Sequence, residues 1–123
     1  MFDHVVFTVS DYAASKSFYL RALGGLGAKI LQENELGVEI SSDGKTSLCL
    51  VRAEEKPAQS HLHLAFRAET RAQVDVFHRD ALAAGGRDNG APGVRPEYSE
   101  TYYAAFVLDP DGHNIEVVCH RSE

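Results

Sequence analysis

Four residues have side chains that could build a metal centre if the fold brought them together: His4, Cys49, His63 and Glu116. Imidazole nitrogens, thiolates and carboxylate oxygens are the ordinary protein donors for divalent ions. They are far apart in sequence, and an internal repeat relates them. When His4-Val5-Val6-Phe7 is set over His63-Leu64-Ala65-Phe66, the residues that follow stay in register without a gap. Phe18 falls on Phe77, Ala22-Leu23 on Ala81-Leu82 and Gly27 on Gly86. At a slightly longer offset, Leu48-Cys49-Leu50-Val51 falls on Ile115-Glu116-Val117-Val118. Two copies of one unit folded about a pseudo-twofold axis place equivalent positions around one centre. An ion held there, with coordination positions left open, would act as a Lewis acid on a bound substrate.

The elements that must position these residues can be read from alternation and turn chemistry. Residues 3–9 alternate as a strand, with Val5, Phe7 and Val9 on one face and His4, Val6 and Thr8 on the other. Ser10 or Asp11 caps a helix that runs to about Leu23, and Gly24-Gly25 is expected to stop it in the left-handed conformation. Three short strands follow over 27–33, 35–41 and 46–52, with turns at Glu33-Asn34 and Ser42-Asp43-Gly44. Ala53 to Ser60 reads as a linker. The second half opens with a strand over 61–68. A capping box, Thr70-Arg71-Ala72-Gln73, then starts a helix carrying Val74, Phe77, Ala81 and Leu82 at helical spacing. Asp88 to Glu100, with Gly90, Pro92, Gly93 and Pro96, reads as a loop without a counterpart in the first half. Strands over 101–108 and 114–120 flank the turn Asp109-Pro110-Asp111-Gly112.

Each half is thus β-α-β-β-β, within one domain over residues 1–123 (first module about 1–53, second about 61–121). Strand parity puts His63 opposite Leu62, Leu64 and Phe66, and Glu116 opposite Ile115, Val117 and Cys119. It puts Cys49 opposite Leu48 and Leu50. In each strand the greasier face can cover a helix, and the mixed face holds the candidate donor.

Net charge is −6, which disfavours nucleic acid and anionic membranes as partners. No signal peptide or membrane-spanning run is apparent. Two cysteines without CxxC spacing suit free thiols in a reducing compartment, so a cytoplasmic protein is expected.

Three segments in order resemble the vicinal oxygen chelate superfamily of glyoxalase I, extradiol dioxygenases, fosfomycin-resistance thiol transferases and bleomycin-resistance proteins. They are His4 with Tyr12 and Phe18-Tyr19 in the next helix, His63-Leu64-Ala65-Phe66, and Asp109-Pro110-Asp111-Gly112-His113-Asn114-Ile115-Glu116. The resemblance implies an α+β fold, in which two βαβββ modules form an open, cup-like mixed β-barrel with helices outside. It implies His4, His63 and Glu116 as ligands of a divalent metal, a set suited to iron(II), manganese, nickel or zinc. It also implies a homodimer, in some relatives with the site built across two chains. Cys49 stands where glyoxalase I has a fourth ligand, a glutamate, so a standard glyoxalase I is disfavoured.

Around this set, Glu39 shares the expected pocket face and could serve as a base or a replacement carboxylate; a solvated strand carboxylate is the plainer reading. Cys49 could line the substrate side as a thiol, or be a small buried apolar residue. By parity Tyr103 is expected on the pocket face with Ala105, where a phenol could move a proton, and Tyr102 with Phe106 on the other. Arg95 and Tyr98, in the unmatched loop, are expected to contact an anionic or aromatic small molecule. His61 rivals His63 from the same strand face, and the gapless repeat favours His63. His78 reads as structural or exposed, and His113 and His120 as exposed.

The function expected is a small metal-dependent glyoxalase-like lyase or extradiol-type dioxygenase. Its substrate would chelate the metal through adjacent oxygens. The competing reading is a metal-free, small-molecule sequestration protein of the bleomycin-resistance type.

Overall fold

The computed structural model describes residues 2–53 and 62–122. The first half runs β1 (His4–Val9), α1 (Tyr12–Ala22), a 3-10 turn over Gly24–Leu26, β2 (Lys29–Glu33), β3 (Gly37–Ser41) and β4 (Ser47–Arg52). The second runs β5 (His63–Arg67), α2 (Arg71–Ala83), β6 (Arg87–Val94), β7 (Tyr103–Leu108) and β8 (Asn114–Cys119). Each half folds into a four-stranded mixed sheet, in the orders β1-β4-β3-β2 and β5-β8-β7-β6. Among the described residues the two sheets are not hydrogen-bonded to each other, so the cup is open rather than a closed barrel. Expectation His61 and most of the expected linker lie outside the described residues.

The repeat is visible in the hydrogen-bond register. In the first sheet β1 runs parallel to β4 with His4 opposite Ser47 and Val6 opposite Cys49. In the second, β5 runs parallel to β8 with His63 opposite Asn114 and Ala65 opposite Glu116. The inner rows of β1 and β5 are exposed, whereas Val5, Phe7, Leu64 and Phe66 turn towards the core.

The helices form where their caps and apolar stripes predict. Asp11 accepts from the Ala14 N–H, and Ser15, Phe18, Tyr19 and Ala22 line the buried face of α1. Thr70 and Gln73 complete both halves of the capping box at α2, which buries Val74, Phe77 and Ala81. One core cluster takes side chains from both halves, with Phe18, Leu50, Phe77, Val107, Ile115 and Val117 at most 1% exposed.

Three expectations are corrected. Gly24-Gly25 forms a 3-10 turn, and the left-handed residue that follows α1 is Gly27 (φ 88°). The segment after Asp88 is no unmatched loop. Its first part belongs to β6, the counterpart of β2 at the sheet edge, where Pro92 and bulges near Gly90 and Gly93 are tolerated. Only the turn over 95–102 lacks a counterpart, and β7 begins at Tyr103 instead of 101.

Candidate metal centre

The inner face of the second sheet carries a connected polar group. His63 Nδ1 lies 3.1 Å from the main-chain carbonyl oxygen of Asn114, its opposite number on β8. A carbonyl can only accept, so Nδ1 carries the hydrogen and Nε2 of the neutral ring keeps its lone pair. That lone pair faces Glu116 Oε1 at 3.1 Å. A neutral imidazole nitrogen and an ionised carboxylate oxygen are both acceptors. A proton or a metal ion must therefore lie between them.

Glu116 is 2% exposed, and with Asp109 it is a buried charged residue among those described. Its second oxygen, Oε2, accepts the phenol O–H of Tyr102. Burial, and then this bond to a carboxylate, push the Tyr102 phenol up to about 12. Tyr102 is flanked by Tyr98 (ring centroids 4.9 Å) and meets His120 edge-on (5.3 Å). Phe106, paired with Glu116 across β7 and β8, stacks on the His63 ring at 6.3 Å.

This arrangement reverses the expected faces of β7. Phe106 faces the site with Glu116, and Tyr102 reaches the same carboxylate. Tyr103 points to the helix side, where its O–H donates to Asp75 at 2.6 Å beneath the Arg71 guanidinium. The alternation is as expected, but the face is not. Ala104, Ala105 and Val107 are all fully buried, so hydropathy along β7 distinguishes no inner side. Tyr102 is the residue that the sequence reading missed, and the pairing of β7 with β8 is the signal that finds it.

The first sheet presents the related half. His4 Nδ1 is 2.7 Å from Asp3 Oδ1, which fixes the same tautomer as in His63 and again leaves Nε2 with its lone pair. Glu39 lies opposite Cys49 across β3 and β4. Its carboxylate accepts from Ser47 Oγ at 2.6 Å and from Gln32 Nε2 at 3.0 Å. Ser47 is in turn the strand partner of His4. Cys49 is half-buried and Cys119 buried, and both are free thiols.

Arg95 is half-buried. It donates to the carbonyls of Gly93 and Ala91, both at 2.8 Å, with its guanidinium carbon 5.4 Å from the Phe106 centroid. Tyr98 is 65% exposed at the outer end of this aromatic row. His78 and His113 have structural partners. His78 pairs with Asp88 at 2.9 Å. His113, expected to be exposed, is half-buried; it packs edge-on against Phe7 and accepts from the Leu62 N–H.

His4 and His63 line the same cleft of about 660 Å³, which opens between β1 and β5 over Val5, Leu48, Leu64 and Phe66. Yet no three His, Cys, Asp or Glu side chains converge among the described residues. The chain joins two donors, His63 and Glu116, and holds His4 with Glu39 nearby on the other sheet. The donor chemistry fits a divalent ion.

The model of the glyoxalase/bleomycin resistance protein/dioxygenase superfamily matches residues 1–117. The chain is 31% identical over 123 residues to the uncharacterized protein YqjT of Bacillus subtilis (strain 168), covering 94% of this chain and 95% of that one. Among solved structures it is similar to a glyoxalase/bleomycin resistance protein from Albidiferax ferrireducens T118. That match has 30% identity and a TM-score of 0.84, over 97% of this chain and 98% of the other. It shares its fold with lactoylglutathione lyase from Agrobacterium tumefaciens, at 20% identity and a TM-score of 0.70 over 97% and 92% of the two chains.

Proposed function

We propose that this chain, which belongs to the glyoxalase/bleomycin resistance protein/dioxygenase superfamily, is a small metal-dependent enzyme. Its substrate is a small molecule with adjacent oxygens, and its reaction is glyoxalase-like isomerisation or extradiol-type oxygenation. The observation that carries the reading is the 3.1 Å approach of Nε2 of the half-exposed His63 to Oε1 of the buried Glu116. His63, Glu116 and His4 would hold iron(II), manganese, nickel or zinc. When bound, the ion supplies Lewis acidity to the oxygens of the substrate.

The remaining roles belong to the chain itself. The Asn114 carbonyl and the Asp3 carboxylate fix the tautomers of His63 and His4, so that Nε2 is the donor in each. Glu39, oriented by Ser47 and Gln32, is the carboxylate placed to take a proton on the first sheet. Cys49 beside it contributes a soft wall to the substrate space. Arg95 and Tyr98 meet the substrate at the far end of the aromatic row. Tyr103, turned to α2, has no part in this chemistry.

Because the two donor-bearing faces lie on separate sheets, a homodimer that sets one chain's first sheet against its partner's second would complete the set. Two free cysteines suit a cytoplasmic setting. No helix among the described residues is long and apolar enough to cross a membrane.

The test is metal analysis by mass spectrometry on protein purified without a metal-affinity step. One of the four ions is expected near stoichiometry in the wild type and lost in His63→Ala and Glu116→Ala. A folded wild type with affinity for none of them refutes the proposal. The second reading, metal-free sequestration, is favoured by the cleft of about 660 Å³ lined by Val5, Leu48, Leu64 and Phe66. It predicts tight small-molecule binding that a chelator leaves unchanged.

A further inference from the structure

The second module contains one device that the first lacks, the turn over 95–102 that delivers Tyr102 to Glu116. The Arg95 N–H donates to the Tyr102 carbonyl at 2.7 Å, and the Tyr102 N–H donates to the Ser99 carbonyl at 3.3 Å. Tyr98 and His120 hold the ring from two sides. The phenol is therefore fixed by its backbone and its neighbours before Glu116 is considered. In the register of the two sheets, Cys49 answers to Glu116 and Glu39 to Phe106. By the same step the first-module position matching Tyr102 is Glu35, in the turn between β2 and β3, so no phenol faces Cys49.

We propose that Tyr102 is a positioning residue for Glu116: its hydroxyl engages Oε2, so that Oε1 alone is presented beside His63 Nε2. This rests on the metal-dependent reading above and goes beyond it by assigning a residue that is not itself a ligand. The physical reason is the burial of Glu116. A buried carboxylate needs a donor at each oxygen, and without the phenol Oε2 has no other side-chain donor among the described residues. The carboxylate is then free to turn, which removes Oε1 from its present place beside His63 Nε2. Outer partners of this kind orient metal-binding side chains, and their loss lowers metal affinity by about 10- to 100-fold.

The experiment compares wild type, Tyr102→Phe and Tyr103→Phe by calorimetric titration of the full chain with zinc and with manganese, alongside their melting temperatures. Tyr103→Phe is the control, because it removes a phenol–carboxylate bond from the adjacent residue on the opposite face. Tyr102→Phe is expected to weaken binding of both ions by about 10- to 100-fold, while Tyr103→Phe retains wild-type affinity. Tyr102→Phe should also lose the more thermal stability, because it strips a donor from a buried carboxylate whereas Tyr103→Phe strips one from an exposed carboxylate. Wild-type affinity in Tyr102→Phe overturns the assignment and leaves the metal reading standing. An equal loss in Tyr103→Phe also overturns it, because the effect would then be one of general stability. A wild type that binds neither ion overturns the assignment, and the metal reading falls with it when iron(II) and nickel fail to bind as well.

Discussion

Glu116 sits where an uncompensated charge would be costly, so its replacement should separate folding from ligation. In Glu116→Gln the amide keeps an oxygen for the Tyr102 hydroxyl and can turn an N–H towards His63 Nε2. The fold is therefore expected to survive, with unfolding free energy within about 1 kcal/mol of wild type by urea denaturation. Metal affinity is expected to fall by more than about 100-fold, since an anionic donor has been removed from the ion itself. His63 and Glu116 were legible because the repeat related them to His4 and Cys49. The tautomer of each histidine was not, because it depends on the Asp3 carboxylate in one module and a carbonyl across the strand pair in the other.

At the scale of the elements, β3 and β4 must approach closely to put Glu39 beside Cys49, and Gly37 makes that approach possible. A Cβ at Gly37 would stand 2.1 Å from the Leu50 carbonyl oxygen, a backbone atom that cannot swing aside. Gly37→Ala should cost about 3 kcal/mol or more. At Gly27 the space is open and only the left-handed backbone (φ 88°) resists a side chain, so Gly27→Ala should cost about 1–2 kcal/mol. Chemical denaturation of the two variants checks the order.

Most elements announced themselves: caps at Asp11 and Thr70, alternation in β1 and β5, and the Asp109–Gly112 turn. β6 did not, because Gly90, Pro92 and Gly93 are the usual marks of a loop. An edge strand can carry them, since half of its backbone groups need no partner in the sheet. β7 hid its orientation for the opposite reason, being apolar on both sides.

Across the whole molecule, the halves are tied through the turn between β7 and β8. Asp109 is 3% exposed and accepts the Tyr19 O–H of α1 at 2.5 Å, besides the main-chain N–H groups of Asp111 and His113. Asp111 accepts from both the N–H and the hydroxyl of Ser10. Burial, and then the adjacent Asp109 charge, hold the Tyr19 phenol well above its ordinary value. The fold therefore favours the protonated phenol. Its contribution is complete below the unfolded pKa of about 10 and is lost as pH rises beyond it towards the folded value. Tyr19→Phe should cost about 1–3 kcal/mol near neutrality and flatten the decline in stability above about pH 10. Urea titrations across that range measure both. The sequence marked the turn itself; that its carboxylates reach into the other module required the packing of α1 against the second half.

The tie runs in one direction. The corresponding turn of the first module is closed by its own Asp43, which accepts from the N–H groups of Lys45 and Thr46. The turn that launches β8, and with it Glu116, is closed likewise by its own Asp109 but takes further anchors from Tyr19 and Ser10 of the other half. The duplicated halves are thus a host and a guest. Loosening their contact should reach the strand bearing Glu116 and spare the one bearing Cys49. In hydrogen exchange, Asp109→Asn is expected to speed exchange in β8 while β4 keeps its wild-type protection. On the metal-dependent reading proposed above, the centre would then lose metal through a residue that never touches it, so metal occupancy would report how firmly the two halves are docked.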